Sequence, residues 1–82
     1  MILITVDFLE MNQSYDFKVD ENALVCQVIE EMVEMISQTE RFPLKKDPGL
    51  FLLCDEDREK VLISTATLAQ NGVEPADKLL LV

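Results

Sequence analysis

Only one segment of this chain carries a sustained 3.6-residue period. In DENALVCQVIEEMVEMISQTE, residues 20–40, Val25, Ile29, Met32, Val33 and Ile36 recur on one helical face. Gln27, Glu30, Glu31, Glu34 and Gln38 fall opposite. A helix is expected over residues 22–38, with Asp20 or Asn22 as its cap and acidic residues well placed in its first turn. Counting Leu24, Cys26 and Met35 widens the apolar arc to about 200°, at ~100° per residue. Packing on one sheet uses roughly half of that. The surplus is covered either by the connection that follows or by a partner.

The stretches around the helix alternate with the period of strands. In ILITVDF, Ile2, Ile4, Val6 and Phe8 share one face, and Leu3, Thr5 and Asp7 share the other. The polar turn EMNQS leads to YDFKV, with Tyr15, Phe17 and Val19 inward and Asp16 and Lys18 outward. The two runs form a β-hairpin. After the helix, TERFPLKKDPG at 39–49 is a long connection whose Pro43 and Pro48 forbid helix continuation. Phe42 and Leu44 are expected to fold back on the helix edge. LFLLC at 50–54 is a third strand, DEDREK a charged turn, VLI a short fourth strand, and KLLLV a fifth. The expected fold class is α+β: a mixed sheet of four to five strands packed on one main helix, in β-grasp topology.

The chain has 82 residues, so a single domain spanning 1–82 is expected. A chain of this length buries only about 60–65% of its unfolded surface, which limits it to one modest core. Sixteen acidic residues against seven basic ones give −9, with no histidine. No basic cluster offsets that charge, which argues against nucleic acid as a partner. Cys26 and Cys54 lie far apart in no metal or redox motif, and are expected to be small buried residues in a reducing compartment. No leader is visible, and apolar runs of four or five residues fall short of the ~20 that span a bilayer. A cytoplasmic protein without direct membrane insertion is expected.

Catalysis has little to work with. There is no Ser-His or Cys-His pair and no Gly-rich phosphate loop. DEDRE places Asp55, Asp57 and Glu59 alternately, but lacks the glycine and distal glutamate of a calcium loop. It reads as a solvated turn partly neutralised by Arg58 and Lys60. Glu30, Glu31 and Glu34 read as an exposed helix face. No enzymatic activity, cofactor or metal is expected.

The final stretch, TLAQNGVEPADKLLLV, resembles the end of ubiquitin-like domains, where Thr-Leu opens a short helical turn and an alternating apolar strand closes the sheet. Thr67, Leu68, Val73, Leu79, Leu81 and Val82 fit that pattern, and the likeness extends over the whole chain. The overall form is similar to the small bacterial YukD/EsaB family, ubiquitin-like proteins that accompany type VII secretion systems. Shared cues are a lone domain, a VDEN-type helix start, a KV strand shortly before Leu68, and an abrupt last strand. The resemblance implies a protein-binding role. Ubiquitin itself acts through a flexible Gly-Gly tail, whereas KLLLV has none, so covalent conjugation is not expected.

By the ubiquitin-like pattern, Leu79 and Leu81 face the helix, which leaves Leu80 and Val82 on the outer face of the sheet. Phe51 and Leu53 make the bulkier core pair, so Leu52, with Leu50 and Cys54, faces outward. Leu52, Leu80 and Val82 are therefore the candidate protein-binding residues, and Leu3 is a further candidate. Alternatively, the 39–49 connection covers them, or they are scattered. The expected function is a non-catalytic interaction module, a cytosolic accessory docking on cytoplasmic parts of a membrane secretion complex. The alternatives are a generic ubiquitin-like regulatory or adaptor domain outside secretion, and a carrier whose Gly-Gly tail lies beyond this sequence.

Overall fold

The computed structural model describes residues 1–41 and 47–82. The element order is β1 (Ile2–Phe8), β2 (Gln13–Val19), α1 (Val25–Glu40), β3 (Leu53–Asp55), β4 (Lys60–Val61) and β5 (Lys78–Leu81). The five strands form one sheet in the order β2-β1-β5-β3-β4. The β1–β5 pair is parallel and the rest are antiparallel, so the sheet is mixed. Among the described residues it packs against a single α-helix, which is the β-grasp arrangement expected of the sequence.

The hairpin turns through a short 3-10 segment at Leu9–Met11 and a left-handed Asn12, φ 52°. Asparagine tolerates that region better than most residues. The register sets Ile4 opposite Phe17 and Val6 opposite Tyr15, with all four on the helix side. The helix presents Val25, Val28, Ile29, Met32, Val33 and Ile36, all buried, to Ile4, Val6, Phe8, Leu53, Leu79 and Leu81 of the sheet. Phe8 and Phe51 meet edge to face with centroids 5.6 Å apart, an arrangement that suits the ring quadrupoles.

Several boundaries depart from the sequence expectation. The helix begins at Val25, and neither Asp20 nor Asn22 caps it. The Asp20 carboxylate instead accepts the N–H of Asn22 (2.9 Å) in a local turn. The N–H groups of Val25 and Cys26 donate to the carbonyls of Ala66 (2.9 Å) and Ser64 (3.1 Å). Helix-terminal donors that side-chain caps usually satisfy are here satisfied by main chain from elsewhere in the fold. The third strand starts later than expected, because Pro48–Leu50 forms a 3-10 turn closed by Leu50 N–H on the Asp47 carbonyl (2.9 Å). Leu52 nevertheless exchanges both main-chain bonds with Val82 (2.8 and 2.9 Å). The fourth strand covers Lys60–Val61 rather than VLI, since the side chain of Asn71 takes both main-chain groups of Ile63. The expected placement of Phe42 and Leu44 lies outside the described residues.

Neither cysteine is in the core. Cys26 is exposed on the helix, and Cys54 is half-buried on the outer face of the sheet. DEDRE is not simply solvated. Asp55 is 2% exposed, and its carboxylate accepts from the N–H of Asp57, the N–H of Arg58 (both 3.1 Å) and Arg58 Nη1 (3.0 Å). Arg58 Nη1 also donates to the carbonyl of Gly72 (2.8 Å), which ties the turn to the loop before β5.

Candidate protein-binding face

Strand alternation divides β5 cleanly. Leu79 and Leu81 are fully buried beneath the helix, while Leu80 and Val82 lie on the outer face, half-buried. The third-strand orientation follows the same rule: Phe51 and Leu53 are buried, and Leu52 is 49% exposed. The register brings these positions together. Leu80 sits opposite Cys54, Cys54 opposite Val61, and Leu52 beside Val82 through their paired main chains. Two adjacent apolar rows thus cross the outer face from β5 towards β4. Leu50 is exposed nearby, whereas Leu3 stands apart on β1, opposite Lys18 of β2.

Val61 belongs to this face and was not singled out from the sequence. The alternation in VLI, with Leu62 buried and Val61 and Ile63 exposed, is the signal that marks it. Beside the rows lies a shallow depression of about 420 Å³ lined by Cys54, Glu56, Glu59, Lys60, Val61 and Leu80. A second hollow, between Leu9, Glu10, Phe51 and Val82, flanks the other end. Outer sheet faces in antiparallel folds are commonly polar. Here the β1–β2 half obeys that rule apart from Leu3, with Thr5 donating to Asp16 (2.8 Å) and Ser14 to Asp7. The β5–β3–β4 half does not.

Two interacting carboxyls, Asp7 and Glu56, border the leucines. The Ser14 hydroxyl stabilises the Asp7 carboxylate and holds its pKa below the ordinary value. Burial raises the pKa of Glu56, and its hydrogen bond to Asp7 and the negative charge there raise it further, against the pull of Lys78. A carboxyl raised on folding contributes stability below its ordinary value of 4.5, and that contribution is lost as pH rises through the folded value. Asp7 has the opposite sign, its contribution fading only as pH falls below 3.8. Glu56→Gln is therefore expected to gain stability over the parent progressively above pH 4.5. Urea midpoints measured across the acid range check this, and parallel curves for the two proteins would contradict it.

No protein-family model matches the chain, and no curated protein matches it. Solved structures do match its fold. The ubiquitin-like domain of Arabidopsis thaliana protein At2g32350 superposes with a TM-score of 0.74 at 13% identity, covering 99% of this chain and 74% of that one. The N-terminal ubiquitin-like domain of the 4931431F19Rik protein gives 0.69 at 18% identity, covering 99% and 72%. The fold is that of the ubiquitin-like β-grasp proteins. At these identities the likeness carries architecture alone.

Proposed function

We propose that this chain is a non-catalytic ubiquitin-like binding module that docks through Leu52, Leu80 and Val82, extended by Cys54 and Val61. In this reading it is a cytosolic accessory of a bacterial type VII secretion system, held at the membrane complex by that system's cytoplasmic components. The observation that carries the binding role is the pair of apolar rows across the β5–β3–β4 outer face, where a solvated sheet is ordinarily polar. The secretion assignment rests on the sequence resemblance to the YukD/EsaB family. No helix among the described residues is long and apolar enough to cross a membrane, so attachment through protein partners suits the role.

The test is capture from native cells in mild detergent, with wild type beside Leu80→Asp and identification by mass spectrometry. Wild type is expected to recover membrane secretion components. Leu80→Asp is expected to lose them by more than tenfold while keeping its circular dichroism, because Leu80 lies outside the core. If both proteins recover the same partners, the face is misassigned. If wild type recovers partners unrelated to secretion, the generic adaptor reading takes its place.

A further inference from the structure

Strand β2 lies at the end of the sheet, and among the described residues nothing pairs with its outer edge. Which of its groups point outward follows from β1. Leu3 accepts the N–H of Ala76 (2.7 Å), and the Thr5 N–H donates to the Asp77 carbonyl (3.0 Å). Odd-numbered residues of β1 therefore aim their main chain at the β5 side, and even-numbered ones aim it at β2. Since Ile4 pairs with Phe17 and Val6 with Tyr15, the main chains of Tyr15 and Phe17 are occupied by β1. The N–H and C=O groups of Ser14, Asp16 and Lys18 face away from the sheet, ready to pair with another strand.

A largely apolar groove runs along this edge, lined by Tyr15, Asp16, Phe17, Met35, Ile36 and Thr39. Met35 is 54% exposed on its rim, and the Tyr15 hydroxyl donates to Glu40 (3.2 Å). The edge charges decide what fits. In an antiparallel pairing of β2 with its own copy, outward-pointing residues must meet outward-pointing residues. A register centred on Asp16 sets two aspartates face to face, and one centred on Lys18 sets two lysines face to face. The register centred on Phe17 places Asp16 of each copy opposite Lys18 of the other, twice. It is the one register within β2 that makes opposite charges meet. Such cross-strand pairs are favourable, and like charges directly opposite are not.

We infer that two copies of this chain join through antiparallel β2–β2 pairing, in the register that faces Asp16 with Lys18. The two-fold axis passes between the Phe17 residues, perpendicular to the sheet. Both helices then lie on the same side of one continuous sheet, and the grooves meet at the seam. The face carrying Leu52, Leu80 and Val82 is on the far strands and stays open, so this inference is independent of the function proposed above.

The test is sedimentation analysis of the full chain from micromolar to millimolar concentration, beside Asp16→Lys and Lys18→Asp. Both residues are exposed, and circular dichroism confirms that the variants fold. Wild type is expected to dimerise reversibly. Each single variant turns two attractive pairs into two repulsive ones and weakens the dimer about tenfold. Mixing the two variants in equal amounts restores opposite charges at both pairs, so a mixed dimer of near wild-type affinity is expected. A wild type that stays monomeric throughout overturns the inference and leaves the edge to a strand from another protein. A dimer indifferent to both charge reversals, or one lost in Leu80→Asp, also overturns it.

Discussion

Asn71→Ala is expected to destabilise the fold by about 3 kcal/mol, measured by urea denaturation. The side chain is 7% exposed and makes three hydrogen bonds. It accepts the N–H of Ile63 (2.8 Å) and donates to the carbonyls of Ile63 (3.2 Å) and Thr67 (2.8 Å). Alanine removes all three and takes from the Ile63 N–H its partner. The Ile63 carbonyl keeps the N–H of Ala66 (3.2 Å), so the expected loss is that of three part-buried hydrogen bonds at about 1 kcal/mol net each. Asn71→Asp retains the acceptor but loses the donors, and aims a charge at two carbonyls, so it is not a conservative rescue. Gln70→Ala provides the scale. Thr67 and Gln70 cap each other's main chain in an exposed turn (2.9 and 3.0 Å), and losing one arm costs about 1 kcal/mol. A loss for Asn71→Ala no larger than that would mean that the chain near Ile63 finds other partners.

Leu79→Ala is expected to cost about 3–4 kcal/mol, against less than about 1 kcal/mol for Leu80→Ala. Neighbours in sequence, they occupy opposite faces. Leu79 is fully buried between Val6 and Asp55 in the sheet, under the helix, and its truncation leaves a cavity in a tightly packed core. Leu80 points outward and loses only part of its contact with the neighbouring strands. In a domain of this size, whose total stability is of order 5–10 kcal/mol, the first variant comes near to unfolding at physiological temperature. Thermal and urea midpoints of the two variants check the contrast. Equal losses would mean that the outer leucines belong to a second buried layer.

Strand alternation put Leu79 and Leu80 on opposite faces, the resemblance to ubiquitin-like domains chose Leu79 as the inner one, and the spans of β1 and of the helix core were legible in the sequence. Strand alternation and helical period are local properties, and four consecutive apolar residues beside Lys78 still obey the pleat. Placing Leu52 outward followed from volume, because Phe51 and Leu53 fill the core better on the other side. One helix laid over one sheet was likewise readable, since only one segment carries a wide 3.6-residue face.

Other features depend on groups distant in the chain. The helix begins at Val25 because the carbonyls of Ser64 and Ala66 reach its first donors, and no local pattern around Asp20 or Asn22 encodes that. The fourth strand stops at Val61 because Asn71 claims the main chain of Ile63. Asp55 is buried rather than solvated because Arg58 folds over it and is itself held by the Gly72 carbonyl. Val61 joins the leucine rows only through its register with Cys54. Periodicity assigns a residue to a face. Which residues share that face, and which polar groups find partners there, is set by hydrogen-bond register between strands far apart in sequence.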